Sequence, residues 1–233
     1  MSACRPLKRV THVIFDMDGV LLDTEIFYKR AIQNIASRFG KVYSPQIQCK
    51  VIGTPERDSS RIAVEEMKLP ISVDSFQNEF RTTAHKYMTN VQLVSGAFKL
   101  VKHLHSNNIP IAVATSSSQE SFDLKTQNHK DFFSLFSHIV CGGSDPDVKA
   151  GKPAPDIFLT CAKRFSDPPH PEKCLVFEDA PNGILAALAA GMQAVMIPDA
   201  NVAPELRKNA HVVIDRLDNA PLELFGLPSI KGC

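Results

Sequence analysis

Six short apolar runs, separated by stretches of helical length, constrain this chain more than any other feature. They are VTHVIF at 10–15, IPIAVA at 109–114, SHIV at 137–140, CLVF at 174–177, AVMI at 194–197 and HVVI at 211–214. Their hydrophobicity is continuous rather than alternating, as in strands covered on both faces. Between them, residues 96–107 (GAFKLVKHLHSN) set Phe98, Val101 and Leu104 at helical spacing. Residues 155–165 and 181–190 repeat that pattern, the second ending before Gly191 as a C-cap. Strands alternating with helices predict an α/β fold: an open, doubly wound parallel sheet with right-handed crossovers, Rossmann-like in layout.

From about Asp23 to Val94 the alternation stops. Segments 25–39, 55–67 and 73–89 are amphipathic and helix-like, punctuated by Pro45, Gly53, Pro55 and Pro70. Roughly 70 residues are too many for one crossover. The expectation is a small helical domain, 23–94, inserted into a core formed by 1–22 and 95–233. Short hinges are expected at Leu22–Thr24 and Ser95–Gly96.

At 233 residues the chain is long enough for one good core and a small accessory domain. A net charge of +1 gives no electrostatic footprint for a nucleic acid polymer. No apolar run reaches the roughly 18–20 residues of a membrane span. The basic N-terminus, MSACRPLKRVTHVIFD, has no long apolar stretch, so no secretory signal is expected. Cys4, Cys49, Cys141, Cys161, Cys174 and Cys233 include no CxxC pair and read as reduced cytoplasmic thiols, mostly core filler. His103 and His105 are two apart on an expected helix, so they point to different faces and make a poor metal pair. A monomer in the cytoplasm is expected.

Function is read from the residues just past the strands. Asp16-Met17-Asp18-Gly19 comes after the first, Thr115-Ser116-Ser117-Ser118 after the second and Glu178-Asp179 after the fourth. In an open α/β sheet, ligands bind outside the carboxyl ends of the strands. Lys152, in Gly151-Lys152-Pro153, precedes another expected helix. Each cluster alone has an ordinary structural explanation: an acidic turn, a helix N-cap, a solvated lysine, a capping turn. Together, in this order at strand ends, they supply the parts of phosphoryl transfer. One carboxylate can attack phosphorus, and a hard cation such as Mg²⁺ held by oxygens relieves the repulsion. A lysine and hydroxyl donors hold the phosphoryl oxygens, and a second carboxylate moves protons.

The stretches HVIFDMDGVLLDTE, AVATSSS, AGKPAPDIF and VFEDAPNGILAALAAGM resemble the four motifs of the haloacid dehalogenase-like hydrolases, in the subgroup with a small helical cap between the first two. The resemblance spans residues 10–200. It implies that Asp16 is the nucleophile and Asp18 the general acid/base, with its backbone carbonyl also on Mg²⁺. Thr115, Ser116 and Lys152 would bind phosphate. Asp16, Asp18, Glu178 and Asp179 would form the metal site, Asp179 directly and Glu178 directly or through water. A closer resemblance, over 121–166, 171–183 and 222–229, is to animal members acting on a modified nucleoside 5′-monophosphate. It implies a small phosphorylated metabolite of that type. Ser118 stands where members often carry a basic residue.

Three other functions compete. Sugar phosphomutases of the same superfamily share the DxDGVxxDT pattern but typically place a histidine where this chain has Tyr28, and a phenol of pKa about 10 is a poor proton shuttle. Phospho-accepting receiver modules are about half this length and lack the insert. A phosphate-binding pseudoenzyme is disfavoured because no essential part is missing.

Overall fold

A computed structural model describes residues 7–51, 56–200 and 202–230, without the side chains of Cys49 and His85. The six apolar runs are strands β1 (His12–Phe15), β2 (Ile111–Thr115), β3 (Ile139–Cys141), β4 (Cys174–Glu178), β5 (Gln193–Met196) and β6 (Val212–Val213). They form one sheet in the order β3-β2-β1-β4-β5-β6, with every neighbouring pair parallel. This is the expected doubly wound α/β sheet.

Continuous hydrophobicity has the expected cause. Val13, Phe15, Val113, Leu175, Phe177 and Val195 pack on one face. Ile14, Ala112, Ala114, Val176, Ala194 and Met196 pack on the other. Full burial of each large side chain contributes roughly 1.5–3 kcal/mol, so both layers hold the strands in register. β1 lies in the middle, with Phe15 opposite Val113 of β2 and Phe177 of β4.

The core helices are numbered after four in the insert: α1 (Glu25–Ser37), α2 (Pro45–Val51), α3 (Glu56–Met67) and α4 (Val73–Met88). The core adds α5 (Ala97–Ser106), α6 (Gln119–Thr126), α7 (Lys130–Phe133), α8 (Asp156–Lys163), α9 (Pro181–Ala189) and α10 (Pro204–Arg207). Gly191, at φ +77°, closes α9 as expected. α2 departs from the sequence reading. Pro45 opens that helix rather than interrupting the chain, because a first-turn position needs no N–H. Phe98 departs as well. The buried stripe of α5 is Ala97, Leu100, Val101 and Leu104, the i, i+3, i+4, i+7 set, while Phe98 is 51% exposed. Its ring rests beside Phe132, with centroids 6.2 Å apart.

The insert segment leaves and rejoins the core side by side. Asp23 N–H donates to Gln92 O at 2.9 Å, Val94 N–H to Leu21 O at 2.9 Å, and Leu22 bridges Leu93 antiparallel. Its helices share their own apolar cluster, including Ile32, Ile35, Tyr43, Val64, Met67 and Phe76. Helix α1 also reaches the core through Lys29, whose Nζ lies 2.7 Å from Asp199 Oδ2.

Cys141, Cys161 and Cys174 are buried free thiols, as expected; Cys4 and Cys233, and the Cys49 side chain, lie outside the described residues. His103 and His105 engage separate carbonyls, those of Pro228 and Leu135. Among the described residues no helix is long and apolar enough to cross a membrane.

Candidate active site

The chain leaves β1 toward β2 on one side and later places β4 on the other, so a crevice opens at the carboxyl end of β1. Asp16 is the first residue past β1, and its N–H donates to Phe177 O of β4 at 2.9 Å. Thr115 ends β2 and Glu178 ends β4. Adjacent strands are about 4.8 Å apart, so these groups share one edge.

Lys152 joins them. From the loop before α8 its Nζ donates to Asp16 Oδ1 at 2.5 Å, Glu178 Oε1 at 2.7 Å and Ala114 O at 3.3 Å. It also lies 5.0 Å from the centre of the Phe158 ring. Glu178 Oε2 accepts from Ala180 N–H at 3.0 Å. Glu178 fits against α9 because residue 183 is glycine: a Cβ there would overlap the Glu178 carboxyl. Gly19 does the same for Asp179. It holds φ +81°, and a Cβ would overlap the Asp179 carboxyl. Thr115 is fully buried, and its Oγ1 accepts from Ser117 N–H at 3.1 Å. Ser116 is exposed in the same turn. The structure thus gathers Asp16, Thr115, Lys152, Glu178 and Asp179, with Ser116 at the rim.

Asp18 faces a second lysine. Lys125 Nζ donates to Asp18 Oδ1 at 2.7 Å and Oδ2 at 3.0 Å, and Ser117 Oγ donates to Oδ2 at 3.0 Å. Burial works to raise the Asp18 pKa, but the Lys125 ammonium and the Ser117 hydroxyl outweigh it and hold the carboxyl below its ordinary value. Asp16 behaves differently. Burial pushes it up to about 7, with Lys152 opposing and Glu178 and Asp18 reinforcing. Asp179 is also pushed well above the carboxylate range, by burial first and then by Glu178, Asp16 and Glu25, against Lys152.

Those shifts reflect a charge imbalance. Lys152 pairs with Asp16 and Glu178, Asp179 lies in the same cluster, and carboxylates left so close favour protonation or a cation. Among the described residues, no three His, Cys, Asp or Glu groups already converge as a finished metal cage. The donor set still fits Mg²⁺, which takes oxygen ligands and is commonly held by one or two carboxylates plus substrate phosphate.

Two site residues escaped the sequence reading. Lys125 carried a signal: on α6 it shares the buried face with Phe122 and Thr126, an unusual place for a lysine. Glu25 opens α1, and burial pushes it up to about 7 beside Lys29, Asp199 and Asp18. No local pattern marks that position. Tyr28, which stands in place of the mutase histidine, accepts from Lys125 at 2.8 Å and lies 3.5 Å from Asp18 Oδ1.

A doubly wound sheet with these groups at its central strand ends agrees with the family match. Residues 13–197 match the haloacid dehalogenase-like hydrolases, and the chain belongs to that family. Among its relatives, the Drosophila melanogaster protein named probable pseudouridine-5′-phosphatase is 46% identical, over 97% of this chain and 98% of its own length. The Arabidopsis thaliana (DL)-glycerol-3-phosphatase 2 is 45% identical over 95% of this chain and 93% of its own. The solved β-phosphoglucomutase of Clostridium difficile is 25% identical and superimposes with a TM-score of 0.72, covering 93% of this chain and 96% of that one.

Proposed function

We propose that this protein is a Mg²⁺-dependent phosphatase of a small phosphate monoester, acting through a phospho-Asp16 intermediate. The observation that supports it best is the Asp16–Lys152–Glu178 cluster at the carboxyl ends of adjacent strands. Asp16 attacks phosphorus in line; Asp18, which Lys125 holds below its ordinary pKa in the free chain, takes up a proton as the phosphate dianion binds and gives it to the departing oxygen. Asp18 then takes a proton from the water that opens the acyl phosphate. Lys152, Thr115 and Ser116 hold the phosphoryl oxygens. Bound Mg²⁺ would be held by Asp16, Asp179, the Asp18 carbonyl and Glu178, directly or through water, and would neutralise charge between nucleophile and phosphate.

Residues 23–94 act as a cap domain that closes over the leaving group and excludes water. The favoured substrate is pseudouridine 5′-phosphate or a related nucleoside monophosphate, and the Drosophila relative supports it. A sugar or polyol phosphate is the second reading, supported by the glycerol-3-phosphatase at nearly equal identity. Phosphomutase chemistry is disfavoured, because burial and Asp18 raise the Tyr28 phenol further from neutrality. The enzyme works as a cytoplasmic monomer.

The test is a panel of phosphate monoesters, including pseudouridine, uridine, glycerol and sugar phosphates, assayed with Mg²⁺ and with excess EDTA. Pseudouridine 5′-phosphate is expected to give the highest kcat/KM, and EDTA to abolish turnover until Mg²⁺ is restored. Full activity in EDTA would contradict the metal assignment. A requirement for a sugar bisphosphate would favour the mutase.

A further inference from the structure

Lys125 is 3% exposed, and its side-chain partners meet at the candidate site from three separate parts of the chain. Nζ lies 2.7 and 3.0 Å from the two Asp18 oxygens after β1. It lies 2.8 Å from Ser117 Oγ after β2, and 2.8 Å from the Tyr28 hydroxyl on α1 of the insert. Tyr28 is itself packed into the insert, its ring 5.8 Å from that of Phe80 on α4. An interior lysine must be compensated, and among the described residues the hydrogen-bond partners of this ammonium all lie at the site.

We propose that Lys125 is a positioning residue: it fixes the orientation of the Asp18 carboxylate and, through Tyr28, makes that orientation depend on where the helical insert sits. This rests on the reading of Asp18 as the proton-transferring group. One ammonium holds both Asp18 oxygens, so the carboxylate cannot turn about its Cβ–Cγ bond without breaking a charge-assisted bond. A shift of α1 removes the phenol oxygen from Nζ and frees a proton of the ammonium for other partners. Closure of the insert is thereby felt at Asp18 through Lys125, beside the longer direct contact of 3.5 Å from the Tyr28 hydroxyl to Asp18 Oδ1.

Leaving-group dependence separates this role from a structural one. An alkyl ester needs a proton on its departing oxygen, whereas p-nitrophenyl phosphate leaves as a stable phenolate. Wild type, Lys125→Met and Tyr28→Phe are compared on p-nitrophenyl phosphate and on the alkyl monoester that wild type hydrolyses best. Lys125→Met is expected to lower kcat on the alkyl ester by about ten- to a hundredfold, the range lost with a hydrogen bond to a charged group. The first turnover of p-nitrophenyl phosphate should slow by less than about threefold. Tyr28→Phe should move the alkyl-to-aryl ratio in the same direction by a smaller factor. Equal losses on both esters, or none, in folded Lys125→Met would overturn the proposal. Where Lys125→Met does not fold, an unchanged ratio in Tyr28→Phe overturns it. A wild type that hydrolyses no monoester would instead fail the phosphatase reading beneath it.

Discussion

Lys152 Nζ and Asp16 Oδ1 sit 2.5 Å apart, both side chains 9% exposed, although 136 residues separate them in the chain. The ammonium also reaches Glu178, so one cation faces the carboxylate proposed to attack and one proposed to hold metal. Lys152→Met removes it. Phosphatase activity is predicted to fall by about 10²–10³-fold, the usual cost of losing a preorganised charge-stabilising donor. Wild-type kcat/KM in the folded variant would remove Lys152 from the chemistry.

Gly183 confines Glu178. Its missing Cβ leaves the space that the Glu178 carboxyl fills. Gly183→Ala should suit α9 by propensity alone, gaining up to about 1 kcal/mol. Here the methyl must displace a carboxyl tied to Lys152, so the prediction is a lower Tm and a raised Mg²⁺ requirement. A stabilised, fully active Gly183→Ala would show that Glu178 is not confined as described.

Glu25 predicts a pH effect on stability. Burial pushes it up to about 7, with Lys29 opposing and Asp199, Asp18 and Asp23 reinforcing. Its unfolded value is about 4.3, so between these values the folded chain holds the proton more tightly. The resulting stability is complete below about pH 4 and is lost as pH rises through 7. Glu25→Gln lacks this loss. Measured by urea unfolding in EDTA, its advantage over wild type should grow by up to about 2 kcal/mol from pH 5 to pH 8. A difference independent of pH would contradict the buried, proton-binding role.

The sheet was legible because its strands are buried on both faces. A run such as Cys174–Phe177 has no polar residue to blur it, and the reactive groups come directly after such runs. Asp16, Thr115, Glu178 and Asp179 could therefore be brought together from topology alone, whereas Lys152, in the loop before α8, was placed by the motif it shares with the family. Phe98 misled because an aromatic residue carries a strong apolar signal wherever it points, and α5 buries Leu100 instead. Lys125 and Glu25 were harder to read, because charged residues ordinarily read as solvated. Lys125 left one trace, its place on the same α6 face as Phe122 and Thr126, whereas nothing local marks Glu25, whose neighbours Asp18 and Asp199 come from distant parts of the chain.

In the proposed reaction Asp16 takes the phosphoryl group while Asp18 moves protons. Asp18→Asn keeps the backbone carbonyl but loses the carboxyl chemistry and the negative charge paired with Lys125, so the variant's folding is checked first by its Tm. On an alkyl ester its rate should fall by about 10²–10⁴-fold. Mixed with p-nitrophenyl phosphate and Mg²⁺, it should release a burst of nitrophenolate near one equivalent and then turn over slowly. The first step needs little acid help, and water attacking phospho-Asp16 lacks its base. Asp16→Asn should show no burst. Steady wild-type turnover by Asp18→Asn on both esters, or a burst from Asp16→Asn, would contradict the assignment.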